Sequence, residues 1–187
     1  MGLYIVALAA LFFLAFAYFA VGQAAVIRNG AQTAADSAAL AGARAERDSL
    51  KDDFLAALTG GDLSALGNLL GDGPLVAGCD ADIQGAASRL AQRNGATLES
   101  CQDVVNPPGV TVAVRTDGTV GPSVIRGTES KHARATATAV VEPRCHAGAK
   151  NGHAVHFVCD SGPLTVDPTS DGFTLDLSDF YAVRLSK

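Results

Sequence analysis

The sequence contains no tryptophan, one methionine and no proline before Pro74, and its first charged residue is Arg28. Residues 1–27 contain no Asp, Glu, Lys, Arg or His. A soluble monomer would not expose so long a charge-free apolar segment to water. A helix over these residues would be about 40 Å long, more than the roughly 30 Å hydrocarbon core of a bilayer. The segment predicts a membrane-spanning helix that can also pack against copies of itself.

The charge balance is acidic, with 14 Lys and Arg against 19 Asp and Glu and a formal net charge of −5. Nucleic-acid binding needs a basic surface that displaces counterions, so this balance argues against a nucleic-acid partner. No glycine-rich loop ends in Lys followed by Ser or Thr, and no serine lies in a G-x-S-x-G context. The sequence accordingly predicts no catalytic residue and no cofactor, and we do not expect an enzyme.

Alanine remains the commonest residue beyond Arg28, which favours a helix that continues past the apolar segment. Gly30 and Gly42 weaken this helix by about 1 kcal/mol each relative to alanine. The expected stop is the pair Gly60 and Gly61. The predicted organisation is a long helix over 1–59, with an apolar part (1–27) and a polar extension (28–59), then a glycine-rich linker over 60–78 and an extracytoplasmic head over 79–187.

Small residues recur along this helix at a spacing of seven. Small side chains let helix backbones approach closely, and this matters in lipid, where no hydrophobic force drives helices together. The alternative is that alanine is present only because it is a good helix former. Because the spacing continues across Arg28 without a change of phase, we predict self-packing between copies of the chain. The alanine stripe consists of Ala10, Ala17, Ala24, Ala31, Ala38 and Ala45.

A second helix and several strands follow. Asp80 is the predicted N-cap of a helix that ends near Asn94, with Gly95 as its terminator. Beyond the PP pair the apolar period changes to two, which is typical of strands, and Asp117-Gly118 predicts a turn. The predicted strands are VTVAVRT, ARATATAVV, AVHFVCD, LTVDP and FYAVRLS. The predicted fold class is α+β: a long N-terminal helix followed by a small, disulfide-stapled head with a mainly antiparallel sheet.

All four cysteines lie in the head. An even count beside a membrane segment indicates an oxidising compartment and two disulfides. Four cysteines allow three pairings, and we favour sequential neighbours: Cys79 with Cys101, and Cys145 with Cys159.

Metal binding is the alternative for two clusters. In CHAGAKNGHAVHFVC, a zinc site would use Cys145, His146, His153, His156 and Cys159, but the spacing matches no standard template. A disulfide-closed hairpin is the favoured interpretation. Calcium is the alternative for Asp160, Asp167, Asp171, Asp176 and Asp179, although DPTSDGF lacks the alternation of an EF-hand loop. We therefore expect solvated turns and no metal.

Two stretches resemble a known family. GQAAVIRNGAQTAADSAALAGA resembles the N-terminal signature of Tad-type pilus-assembly proteins (TadE/TadG-like pseudopilins), and GTESKHARATATAVVEPRC is similar to the extracytoplasmic part of actinobacterial members. The chain departs from the pattern of pilins at two points: no basic leader precedes the apolar segment, so Met1 is expected to be the initiator or a processed N-terminus, and position 5 is Ile5, where many type IV pilins carry Glu.

The resemblance implies a pilin-like structural subunit, a single-pass membrane protein before assembly and part of a cell-surface filament afterwards. Its expected partners are copies of itself, membrane lipid before assembly and the pilus assembly machinery. One alternative is a membrane-anchored minor pseudopilin, assembly factor or surface binding protein that does not polymerise. Another is a secreted head released after VGQAA, a stretch that could serve as a signal-peptidase site.

Overall fold

The computed structural model describes residues 2–71, 79–119, 121, 127 and 129–186, and of Leu3 the backbone only. The helices are α1 (Gly2–Ser49), α2 (Lys51–Gly60), α3 (Leu63–Leu69) and α4 (Ala81–Arg93), with a short 3-10 helix at Leu177–Asp179. The strands are β1 (Ala96–Val105), β2 (Pro108–Thr119), β3 (His132–Pro143), β4 (Cys145–Asn151), β5 (Ala154–Cys159), β6 (Gly162–Val166) and β7 (Tyr181–Leu185). The predicted α+β fold with a long N-terminal helix is confirmed.

The long helical path is interrupted at one residue. Leu50 keeps helical backbone angles, but its N–H donates to the Arg47 carbonyl, three residues back, at 3.2 Å. The tighter turn coincides with burial of the Leu50 side chain in the core, where it is 2 % exposed. The path then continues through α2 and ends at Gly61, whose left-handed φ of 65° caps the helix as the sequence predicts.

The head is built on a four-stranded antiparallel sheet in the order β1-β2-β3-β7. One face of this sheet is covered by the second half of α1, beside which α4 packs. Alternate residues of β2, Val110, Val112 and Val114, are buried, as expected for a strand with one face on the core. A second antiparallel sheet, β4-β5-β6, packs near α2 and α3.

The caps of α4 follow the sequence prediction. Asp80 accepts hydrogen bonds from the N–H groups of Asp82 and Ile83, both at 2.9 Å. At the other end Gly95 adopts a φ of 67°, which permits the reversal from α4 into β1.

The structure differs from the sequence-based expectations at three points. Asp117 and Gly118 form no hairpin turn: they lie inside β2, where Asp117 accepts from the Thr97 hydroxyl at 2.7 Å and donates its N–H to the Gly95 carbonyl. The strand β1 was not predicted, because its polar sequence ATLESCQDVV lacks a clear apolar period. The first part of the predicted linker contains α3, since Leu66 and Leu70 bury their side chains in the core. Residues 72–78 of that linker lie outside the described residues.

Candidate functional site

The first half of α1 exposes a continuous apolar surface. Thirteen of its large hydrophobic side chains are between 57 and 83 % exposed. A membrane-length window within this helix has a mean hydropathy of 2.5, and only 6 % of it is buried. A soluble monomer rarely exposes an apolar patch of this size, so lipid or protein must cover it. The exposed residues are Tyr4, Ile5, Val6, Leu8, Leu11, Phe12, Phe13, Leu14, Phe16, Tyr18, Phe19, Val21 and Val26.

The helix is long and apolar enough to cross a bilayer. Its backbone groups are paired within the helix, and this is what a hydrocarbon environment requires of a spanning segment. Charged side chains begin at Arg28, and polar side chains beyond it bond locally: Thr33 donates to the Asn29 carbonyl at 3.1 Å, and Gln32 donates to Asp36 at 2.8 Å. The change from an uncharged to a charged helix surface therefore lies at Arg28.

The second half of α1 is an internal element of the head. Ala34, Ala35, Ala38, Ala39 and Ala43 are completely buried, because α4 and the sheet lie against this part of the helix. Their side chains are small enough for the helix axis to approach the sheet closely. The alanine-rich composition of this half thus serves packing within one subunit.

The alanine stripe is divided between two environments. Ala10 and Ala24 are exposed and Ala17 is half-buried, whereas Ala31 and Ala38 are fully buried and Ala45 is half-buried. Ala31 and Ala38 therefore cannot form the seam with a second copy that the spacing of seven suggests, because the subunit itself already covers them. Self-packing through Ala10, Ala17 and Ala24 stays a prediction. The spacing alone could not distinguish the two cases, since a sheet and a neighbouring helix accept small residues equally well.

One carboxyl group is buried on α1. The Glu46 residue is 4 % exposed, and its Oε2 atom has no hydrogen-bond partner in the part of the chain that the structure describes. Burial, and secondarily the negative charge of Asp103, raises the pKa of Glu46 from its ordinary 4.5 to about 7. Sequence reasoning missed this residue, because a single Glu in a helix carries no burial signal.

An aromatic cluster attaches α2 to the head. Phe54 is completely buried, and its ring centroid lies 4.7 Å from that of Phe180, 6.3 Å from Phe157 and 6.4 Å from Tyr181. The Tyr181 hydroxyl donates to the Leu69 carbonyl at 2.9 Å, which ties α3 to β7. These contacts hold the far end of the helical path against the head.

Both disulfides have the sequential pairing favoured from the sequence. Cys79 is bonded to Cys101, joining the start of α4 to β1, with Cα atoms 5.9 Å apart. Cys145 and Cys159 are register partners in the β4–β5 hairpin and are bonded to each other. Because Cys145 and Cys159 are bonded to each other, neither offers the thiolate that the alternative zinc site would need.

Among residues 2–71, 79–119 and 129–186, no three His, Cys, Asp or Glu side chains are grouped to hold a metal. His156 instead hydrogen-bonds the Thr165 hydroxyl at 2.8 Å. Asp167 accepts from the hydroxyl and N–H of Thr169, and these bonds lower the pKa of its carboxyl. Asp176 accepts from the Ser178 N–H and caps the 3-10 helix. These acidic residues hold turns in place.

Comparison with known proteins gives one match. Residues 2–45, about a quarter of the chain, match the model of the Tad family, described as putative Flp pilus-assembly TadE/G-like. No curated protein and no solved structure matches the chain. The matched segment is the apolar half of α1 together with most of the alanine-rich half, so it coincides with the surface that needs covering. Over this N-terminal helix the chain is therefore similar to the Tad-type, TadE/G-like pilus-assembly family.

Proposed function

We propose that this protein is a structural subunit of a Tad-type pilus filament, and that it polymerises through the apolar half of α1. The observation that carries the proposal is the row of large apolar side chains on residues 4–26, each more than half exposed. In the bilayer, lipid covers them before assembly. In a filament, the same helices of neighbouring copies cover them, so that transfer from lipid to filament costs little net free energy.

The rigid connection between helix and head supports this role. A helix that continues from the apolar segment into the core of the head gives each copy a fixed geometry relative to its neighbours. A flexible tether would instead leave the position of the head undefined. The heads then lie outside the filament core, where two disulfides stabilise them against extracellular conditions. In this role the protein is structural, without enzymatic activity or a cofactor.

The alternative function is a membrane-anchored minor pseudopilin, assembly factor or surface binding protein. The same α1 would then serve only as an anchor, and the assembly machinery would be its partner. The family match supports a pilus-related role for both functions. They differ in whether the chain leaves the membrane as a polymer.

Shearing cells that express the full chain separates the two functions. We expect the protein in the sheared fraction as filaments that sediment at high speed and keep residues 4–26. Retention of all the protein in the membrane fraction would contradict polymerisation. N-terminal sequencing of the sheared material also tests the secreted-head alternative, because a head released after VGQAA would begin near residue 26 and would not sediment.

A further inference from the structure

A groove with a basic rim runs between α1 and α4. Leu40 and Leu90, both half-buried, contribute to its apolar floor, and Arg44, Arg89 and Arg93 stand on its rim. The groove encloses about 650 Å³. We call it the basic groove.

The three arginines of the basic groove are exposed and form no ion pair with any residue that the structure describes. The carboxylate at one end of the groove, Asp48, is bound to Arg47 at 2.7 Å. The groove therefore presents positive charge above an apolar floor, and this combination suits an acidic helix with small side chains.

An acidic helix face of this kind is present on the same chain. Asp52 and Asp53 lie in the first turn of α2, and Ala56 lies one turn further on; all three are exposed. Neither aspartate forms an ion pair within the described part of the chain. The neighbouring Lys51 faces a different pocket, which it lines together with Asp176.

We propose that the basic groove between α1 and α4 receives the acidic face of α2, with Asp52 and Asp53, from a second copy of the chain. This interface rests on the proposed polymerisation. The first turn of α2 lies about ten residues beyond the middle of the groove along a nearly continuous helical path, a distance of about 15 Å. Two parallel subunits staggered by about that distance along the filament axis bring the two surfaces together.

Height above the membrane argues against anionic lipid as the occupant. The groove begins at Ser37, about 14 Å beyond Arg28 along the helix. The headgroup region adds only about 5 to 8 Å to each side of the hydrocarbon core. The arginines therefore lie beyond the reach of headgroups when α1 spans the bilayer.

A charge swap in the full-length chain tests the interface. The groove variant carries Arg44→Glu and Arg89→Glu, the helix variant carries Asp52→Arg and Asp53→Arg, and the third variant combines all four changes. Like charges across an interface cost several kcal/mol, so we expect each double variant to lower sheared filament at least roughly tenfold. The combined variant restores it to within about threefold of the wild type.

Lys131→Glu with Lys150→Glu is the matched control, because both lysines are exposed and the change in net charge is the same. It should leave the filament yield unchanged. Each variant is also quantified in the membrane fraction and by protease resistance of its head, so that misfolding is not mistaken for lost assembly.

The outcomes separate this interface from the proposed function. If the wild type itself forms no filament, the proposed function fails and the interface fails with it. If the wild type polymerises and the folded groove variant polymerises equally well, the interface alone is overturned. If the groove variant loses filaments without restoration by the combined variant, the occupant is a different acidic partner, and the proposal of a second copy is overturned.

Discussion

Gly42 on α1 lies so close to Val110 on β2 that a β-carbon built on the glycine would be 2.9 Å from the valine Cγ2 atom. Ile83 and Ala87 of α4 are 3.6 and 3.7 Å from the same position. The helix that continues from the apolar half of α1 is thus held against the sheet and α4 at a residue without a side chain. This contact makes the helix and the head a single mechanical unit.

Substitution of Gly42 tests this close contact. We expect Gly42→Leu to destabilise the folded chain by about 1 to 3 kcal/mol or more, because the added side chain overpacks the junction. Thermal unfolding of the detergent-solubilised protein measures the change. The control is Gly30→Leu, at a helical position with nothing within 4 Å, which should be neutral or stabilising by up to about 1 kcal/mol. Equal effects at the two glycines would contradict the packing described.

Glu46 makes stability depend on pH. The pKa of its carboxyl is about 7 in the folded chain and near 4.5 when unfolded, so the folded chain binds the extra proton between these values. The free energy of unfolding therefore falls as pH rises from about 4.5 to about 7 and levels off above. Glu46→Gln should remove roughly 3 kcal/mol of this dependence. Denaturant unfolding at pH 5 and pH 8 measures it, and parallel pH profiles for wild type and variant would exclude the effect.

Phe54 anchors α2 through its contacts with three other aromatic rings. Phe54→Ala should cost about 3 to 5 kcal/mol, because it removes a fully buried ring and leaves a cavity. Thr59→Ala, at an exposed position on the same helix, is the control and should change stability by less than about 0.5 kcal/mol. Limited proteolysis of the Phe54→Ala variant should release α2 first. Wild-type protease resistance in that variant would show that the cluster does not anchor the helix.

The Cys145–Cys159 bridge closes a hairpin with a sequence separation of 14. Replacing both cysteines by alanine should lower the free energy of unfolding by about 3 kcal/mol, because the unfolded chain regains the entropy of the closed loop. The midpoint of thermal unfolding measures this loss. A reducing agent should lower the wild-type midpoint further than that of the variant, which retains only the Cys79–Cys101 bridge. An unchanged midpoint in the double variant would contradict a stabilising role.

The division of the alanine stripe predicts two phenotypes. Ala10→Leu with Ala24→Leu should abolish sheared filament and leave membrane insertion and head stability unchanged, since both residues are exposed. Ala31→Leu should instead lower the unfolding midpoint of the head, because Ala31 is completely buried. Normal filaments from the first variant would refute self-packing through the exposed part of the stripe.

Much of the fold is predictable from local signals. Asp80 and Gly95 bound α4 as their capping preferences require, and Gly61 ends the long helical path. The disulfide-closed hairpin follows from cysteine spacing around alternating residues. By contrast, the β1 strand carries a polar sequence and forms because β2 offers it a ladder of backbone partners, interrupted by one irregularity between Leu98 and Ser100. The Asp117-Gly118 pair stays inside β2 because Thr97 and Gly95 bond it there.

The candidate site, like the fold, was predictable from the sequence only in part. A charge-free segment before Arg28 and the absence of proline before Pro74 determine a helical rod with an apolar half, because these properties act within a few residues of one another. Which alanines face the subunit itself and which face outward was decided only by tertiary structure. Small side chains fit a sheet, a helix or a sister chain with equal ease, so Ala31 and Ala24 differ only in what the rest of the chain places against them. The burial of Glu46 has the same origin, since the pKa of its carboxyl is raised mainly because the folded head excludes water from it.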